Sequence, residues 1–585
     1  MCGIFIAINK NKTLLDENRC NKSLALMKYR GPDWSFSKLI KKNIYFGQNV
    51  LSMTGKNIKN DKIFQSKYKN FILLLNGEIY NYEELSQLIN IRHNQNLTDT
   101  EVLVNLAECK TTKQINRLID GMYVYALFDE INNELTITRD PQGEKSLYYY
   151  DDSKIILISS EIASIEKYVN NLVLDTGVLK SYFYSKHFMQ DSSTLYKKIN
   201  ILKPGETKKL NLNNFKWKNS DTNSILGLIN ENTYSKNINR SLDDLTDELE
   251  DLLNINLKQM IPNSRNFSSI ISGGIDSSLI TSLLNKINQP TKLLSLDHIG
   301  KDSITKYLHL FSKHLDREIN IYKVKSKDYL ESLLKISKNY YSPIHSHSFV
   351  GQYMIAKKSS DFNCRALFGG EGADELFGGY KTYQQKIFNK KLNYSDYSRV
   401  DNNNLFVNND SYFEFKEIMN KKWSNYLDKY SFILNKDDQN RQSMLLSDTH
   451  AQLSTVGLRG ADLMSMRNSV EQRSIFLRRD IIKFALNLPL KFKLNKNDKS
   501  ANGTKIILKN LFKRHFPDNL IFEKEGFAGF PNSTKNILGS SKKYNIKDIL
   551  DFKNFNEVFS KMDNKLLWKI YNTELFLTNL NHRKI

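Results

Sequence analysis

Short apolar runs recur through the first 160 residues, each bounded by polar or glycine-rich breaks. Six of them, Gly3–Ile8, Asn43–Leu51, Asn70–Leu75, Met122–Asp129, Glu134–Arg139 and Lys154–Ser159, have the length and side-chain types of β-strands. Between them, Asn81–Leu88 and Thr100–Ala107 carry helical spacing. Strands interrupted by helices predict a layered α+β domain over residues 1–205. The stretch from Lys209 to Tyr234 is polar and rich in Asn, which predicts a linker over 206–240. From Leu242 the period changes. A helical pattern at Leu242–Met260 leads to a buried-type strand (Phe267–Ile271), a glycine turn, a helix (Asp276–Lys286) and a further strand (Thr291–Leu296). That order predicts a parallel α/β sheet in a second domain, 241–585, with a mostly helical part after about Tyr380. The stretch Asn389–Asp438 fits no element clearly, and no internal repeat is visible.

The chain has 585 residues, 40% hydrophobic and 25% charged, which is ordinary for a globular protein with several cores. No apolar run approaches the roughly 20 residues that span a bilayer, so no membrane is expected. The start, MCGIFIAINK, lacks a basic region and a cleavage pattern, which argues against a secretory signal. Cys2, Cys20, Cys109 and Cys364 form no CxxC pair and read as neither a zinc site nor a disulfide framework. A reducing cytoplasm is the simplest compartment. The net charge of +22 is spread over scattered lysines with no basic block, so nucleic acid is not an expected partner.

Cys2 follows Met1 directly. Removal of the methionine leaves Cys2 with a free α-amine, whose pKa of about 7.7–8 suits it to take the thiol proton. Alone, such a cysteine is more often a buried structural residue. Here it is followed by Arg30-Gly31-Pro32-Asp33, Asn76-Gly77-Glu78-Ile79-Tyr80-Asn81, Thr98-Asp99-Thr100-Glu101 and Arg139-Asp140 ahead of Leu147-Tyr148-Tyr149.

A second constellation lies between a predicted strand and helix: Ser272-Gly273-Gly274-Ile275-Asp276-Ser277-Ser278. It is neither GxxxxGK[ST] nor GxGxxG. Its glycines allow close approach of an anion, and the following helix offers free N–H groups. Asp276 would repel phosphate unless Mg²⁺ lay between them. About ninety residues on comes Gly369-Gly370-Glu371-Gly372-Ala373-Asp374-Glu375-Leu376-Phe377-Gly378-Gly379-Tyr380, also after a predicted strand. Two acidic loops after strands of one parallel sheet can meet at its carboxyl edge. Farther on stand Met464-Ser465-Met466, Ser469-Val470-Glu471-Gln472-Arg473, Lys505-Ile506-Ile507-Leu508 and Lys524-Glu525-Gly526-Phe527.

In order and spacing the first set resembles the class II glutamine amidotransferases, and the second the synthetase part of the asparagine synthetase B family. The resemblance implies an N-terminal Ntn-hydrolase αββα sandwich, followed by a Rossmann-like sheet of the ATP-pyrophosphatase type. By it, Cys2 attacks the glutamine amide, Asn76 and Gly77 form the oxyanion hole, and Glu78 and Asp99 hold the α-amine. Ser272, Gly273, Gly274, Asp276 and Ser277 take pyrophosphate, while Ile270, Leu296, Gly369 and Gly370 line the adenylate. Asp276 and Asp374 hold Mg²⁺, Glu371 supports amidation, and Lys524 neutralises phosphate charge. The implied reaction makes asparagine from aspartate, ATP and glutamine, with a homodimer compatible.

Departures also stand out. Val50 occupies the place of an arginine that in the family pairs with the glutamine α-carboxylate, which weakens glutamine binding unless another cation, Lys56 or an arginine from elsewhere, replaces it. Gly369 replaces a serine, Arg478 an aspartate, and the strand ending at Leu296 runs into Asp297-His298. These changes open two alternatives: another acceptor carboxylate such as a sugar uronate, or a synthetase that runs on free ammonia. His345 and His347 form an HxH pair that is unremarkable in a polar loop.

Overall fold

The computed structural model describes residues 2–55, 64–91, 96–184, 192–297, 305–384, 405–408, 410–498, 500–522, 545–553 and 564–583. Alternation in the first strand, Cys2–Asn9, sets the N-terminal architecture. Ile4, Ile6 and Ile8 face one cluster with Phe46, Leu74, Val124, Phe128 and Ile158. Phe5 and Ala7 face another with Leu24, Ile162 and Ile165. A period of two thus buries both faces of the strand, which requires a layer on each side.

The strand belongs to the first of two six-stranded antiparallel sheets, with the second sheet on one side of it and helices on the other. The first runs in the order Ile199–Ile201, Tyr148–Asp151, Ile155–Ser159, Cys2–Asn9, Ile44–Val50, Trp34–Lys41. The second runs Lys216–Thr222, Glu206–Asn211, Glu134–Arg139, Gly121–Asp129, Phe71–Ile79, Phe64–Gln65. Helices Glu17–Ala25 and Ile162–Val169 contribute to the core outside the first sheet. Tyr82–Leu88, Asp99–Leu106 and Thr112–Leu118 cover the second with Leu85, Val102, Leu103 and Ile115. The expected αββα sandwich is present.

The expected linker over 206–240 is not a linker. Glu206–Asn211 and Lys216–Thr222 pair as a hairpin on the edge of the second sheet, and Glu231–Ile238 is a helix capped by Asn230. The outer strand is largely exposed, so its composition is polar although its backbone pairs along one side with Glu206–Asn211.

From helix Leu242–Met260 onward the second unit is built on a five-stranded sheet. Its order is Ile319–Lys323, Lys292–Asp297, Phe267–Ile270, Ala366–Gly369, Glu471–Ser474, and every pairing is parallel. Of the stretch that fitted no element, Asp410–Lys429 is a helix and Lys436–Ser447 begins another. The latter continues through a π-helical turn, Asp448–Gly457, into helix Leu458–Met466. Among the described residues no helix is long and apolar enough to cross a membrane.

A buried ionic cluster joins the two units. Arg30, fully buried, donates through Nε to the Cys2 carbonyl at 3.2 Å and pairs with Glu161 at 3.2 Å and with Asp462 at 2.9 Å. Lys145 reaches the same Asp462 at 3.2 Å. Burial alone would raise Asp462, but Arg30 and Lys145 outweigh it and hold the carboxyl below its ordinary value. Arg30→Met removes the cation paired with buried Glu161 and leaves Asp462 to Lys145 alone. We expect a loss of about 3–5 kcal/mol in urea unfolding at pH 7. A depressed carboxylate contributes stability that is present above its unfolded pKa and is lost as pH falls below about 4, so the gap between variant and wild type narrows there. A loss under about 1 kcal/mol at pH 7 would show that the cluster does not hold the units together.

Two candidate active sites

Cys2 opens the first strand, buried, with Val50 directly opposite it in the antiparallel register. Its backbone nitrogen donates to Asn76 Oδ1 at 3.0 Å. Asn76 is fully buried in strand Phe71–Ile79, and its Nδ2 has no hydrogen-bond partner among the described residues. A buried amide donor left open beside a cysteine is what an oxyanion needs. Gly77 follows with φ of +147°, and a Cβ there would lie 2.0 Å from the Met122 carbonyl oxygen. Only glycine fits this position between the strands. Burial raises the Cys2 thiol above its ordinary value, with the Gln48 side chain and the Leu51 backbone pulling the other way.

Two carboxylates complete this site. Asp99 accepts from the Ile79 nitrogen at 3.0 Å, the Thr100 nitrogen at 2.8 Å and the Thr54 hydroxyl at 3.3 Å. Glu78 is pushed up by burial to about 8, against the pull of Arg473 at 3.4 Å. Arg473 also pairs with Glu471 at 2.7 Å, so the edge strand of the parallel sheet reaches directly into the cysteine site.

The second site lies at the carboxyl edge of the parallel sheet. Strand Phe267–Ile270 runs into Ser272–Ser277, where Gly273 has φ of +74° and the Ser277 hydroxyl accepts from the Ser272 nitrogen at 3.1 Å. Among the described residues a Cβ on Gly274 would meet only the Ser272 hydroxyl, at 3.5 Å. The adjacent strand, Ala366–Gly369, delivers the acidic loop alongside: a Cβ on Gly370 would lie 2.8 Å from the Asp276 Cβ. Ile270 and Leu296 end or nearly end the two strands beside these loops. Asp276 and Asp374 converge on one point. Lys505 Nζ sits there, 2.7 and 2.5 Å from the Asp276 oxygens and 2.6 Å from an Asp374 oxygen. A place bounded by two carboxylates and filled by an ammonium has the donor set a divalent cation takes together with phosphate oxygens. The sequence marks Lys505 only as the head of the Lys505-Ile506-Ile507-Leu508 segment; its place between the two carboxylates, on left-handed backbone with φ +51°, is a feature of the structure.

Residues 248–573, more than half of the chain, match the asparagine synthase family, and residues 1–220 match a glutamine amidotransferase domain. The chain belongs to the asparagine synthase family. It is similar to a Bacillus subtilis asparagine synthetase (glutamine-hydrolysing), with 24% identity over 94% of this chain and 90% of the relative. A putative asparagine synthetase (glutamine-hydrolysing) of Methanocaldococcus jannaschii is 26% identical over 66% of this chain and 76% of its own length.

Against the family pattern, the departures take definite places. At Gly369 a Cβ would come 2.3 Å from Glu371 Oε2, so glycine lets that carboxylate fold back over the strand end. Arg478, expected to reshape an acceptor pocket, instead points to the other unit. It ion-pairs with Asp120 and lies over the Tyr80 ring at 4.4 Å. A long buried cation at this position seeks a carboxylate, and the nearest belongs to the two-sheet unit. His347 hydrogen-bonds Tyr329 at 3.0 Å and packs on Trp568, and no cluster of three or more metal-ligating side chains occurs among the described residues. Lys524, Lys56 and His298 lie outside the described residues.

The two glycines, Gly77 in its strand and Gly274 in its loop, should separate on substitution. Gly77→Ala forces a side chain against backbone at positive φ, and about 3 kcal/mol or more of stability should be lost. Gly274→Ala, in ordinary backbone with only the Ser272 hydroxyl nearby among the described residues, should stay within about 0.5 kcal/mol of wild type. Thermal unfolding of both variants is the measurement, and equal effects would contradict the packing described.

Proposed function

We propose that this chain is a glutamine-dependent asparagine synthetase that hydrolyses glutamine in the two-sheet unit and amidates aspartate in the parallel-sheet unit. The observation that carries the reading is the convergence of Asp276 and Asp374 on one cation-sized point beside the Ser272–Ser277 loop. The family match and the buried Cys2–Asn76 pair support it.

In the first site the Cys2 sulfur adds to the glutamine side-chain carbonyl. Its proton passes to the free α-amine left by removal of Met1. The oxygen of the tetrahedral adduct takes hydrogen bonds from Asn76 Nδ2 and the Gly77 N–H, each worth about 3–4 kcal/mol in comparable sites. Ammonia leaves, and water releases glutamate from the thioester. Glu78 and Asp99 hold the substrate ammonium, which also returns Glu78 to its charged form.

In the second site the acceptor carboxylate attacks the α-phosphorus of ATP and expels pyrophosphate into the Ser272–Ser277 loop. Ile270, Leu296, Gly369 and Gly370 border the adenylate. Asp276 and Asp374 would hold Mg²⁺, which supplies positive charge to the phosphate oxygens. Ammonia then attacks the acyl-adenylate and releases AMP, with Glu371 placed to take a proton. Lys524 is assigned the phosphate charge.

Cys2→Ala should abolish glutamine-dependent synthesis while ammonia still supports it. Failure with ammonia, in a folded variant, would refute two separate sites. ATP should yield AMP and pyrophosphate in an aspartate-dependent way, and Asp276→Asn or Asp374→Asn should lower pyrophosphate release about a hundredfold or more, as for loss of electrostatic stabilisation. ADP as product, or pyrophosphate release with a uronate but not with aspartate, would overturn the assignment.

A further inference from the structure

A glutamine bound at Cys2 brings an α-carboxylate that needs a cation, and the cations around the site are largely committed. Arg30 is bound to Glu161 and Asp462, and Arg473 to Glu471 and Glu78. Val50, directly across the ladder from Cys2, supplies none. Arg265 is placed differently. It comes from the parallel-sheet unit, on the connection between helix Leu242–Met260 and strand Phe267–Ile270. Its Nε donates to the Ser52 carbonyl at 2.9 Å and one Nη to Asp33 Oδ2 at 2.7 Å. The other Nη has no partner among the described residues, and the side chain is 36% exposed.

The five residues from Val50 to Thr54 fix where that guanidinium lies. Val50 is held opposite Cys2, and its carbonyl accepts from the Asp33 nitrogen at 3.1 Å. Asp33 Oδ2 in turn accepts from the Ser52 nitrogen at 2.9 Å. Thr54 touches Asp99, the proposed amine partner, at 3.3 Å. Arg265 therefore sits on the middle of a segment whose two ends flank the nucleophile and the amine pocket. Ser264 bonds the Met53 carbonyl at 3.4 Å and Asn263 the Tyr82 hydroxyl at 3.2 Å, so the whole connection is docked along this rim.

We infer that Arg265 is the residue that recognises the α-carboxylate of glutamine, contributed in trans by the synthetase unit. The inference rests on the glutaminase reading above. Guanidinium geometry allows it to keep Asp33 on one edge and take a carboxylate on the free Nη. Two residues after Arg265 the chain enters the strand that ends at the Ser272–Ser277 loop, so the glutamine site is incomplete without the ATP-binding unit.

The test compares ammonia release from glutamine and from 4-aminobutanamide, which is glutamine without its α-carboxylate. Wild type, Arg265→Met and the double variant Arg265→Met/Val50→Arg are assayed as full-length protein. Wild type should prefer glutamine in kcat/KM. Arg265→Met should cut that preference about tenfold to a hundredfold, mainly through KM, the range for a hydrogen bond to a charged group. The double variant should regain part of it, because an arginine is then supplied from opposite Cys2. A purely structural role for Arg265 would lower both substrates together and leave their ratio unmoved. An unchanged ratio in Arg265→Met therefore overturns the inference while leaving the glutaminase reading intact. A double variant no better than Arg265→Met counts against it too. No ammonia from glutamine in wild type would overturn the glutaminase reading itself, and this inference with it.

Discussion

A guanidinium buried with no exposed surface has to bring its counter-ions with it, and Arg30 meets that requirement from three directions. It holds the Cys2 carbonyl and Glu161 within the two-sheet unit and Asp462 on helix Leu458–Met466 of the other unit. Once Asp462 is drawn in, Lys145 joins it, and the edge strand Glu471–Ser474 comes close enough for Arg473 to meet Glu78. Removing one member of the cluster leaves its partner buried without a counter-ion. Strand Cys2–Asn9 and the parallel sheet are held relative to each other by this ionic cluster together with an apolar core that both units share.

The two sites use that rigidity differently. Around Cys2 the arrangement rests on orphaned polarity: an Asn76 amide whose Nδ2 has no partner among the described residues and a glycine that no side chain could replace. Around Asp276 it rests on convergence, because neighbouring parallel strands end side by side and their loops carry like charges to one point. Lys505 holds those charges together in the structure, since two carboxylates that close would otherwise repel.

The conflict between composition and structure is sharpest at 206–240. Polarity predicts a linker there, but an edge strand needs only one buried face and a backbone ladder, and Lys216–Thr222 keeps its side chains largely in water. The same blindness applies to Arg478. Its departure from the family pattern reads as a change in the acceptor pocket, yet its partner is Asp120, more than three hundred residues earlier. Sequence distance hides such pairs, because a cation and its carboxylate need share nothing but a position in space.

The sequence by itself determined the periodicities, and with them the longer apolar strands, while Trp34–Lys41, Ile319–Lys323 and Glu471–Ser474 appeared only in the structure. Gly3–Ile8, Glu134–Arg139, Leu242–Met260 and the strand–loop–helix around Ser272–Ser277 follow from apolar spacing and glycine placement, which are local properties. It also marked Cys2, Asn76, Gly77, Asp276, Glu371 and Asp374 as candidates, because motif order is written along the chain. Only the tertiary structure decided who meets whom: Lys505 with Asp276 and Asp374, Arg473 with Glu78, Arg30 with Asp462, and Arg265 with the rim beside Val50. Each of these pairs a charge from one element with a partner far away in sequence. The energy that selects it comes from removing both from water together, which no local pattern encodes.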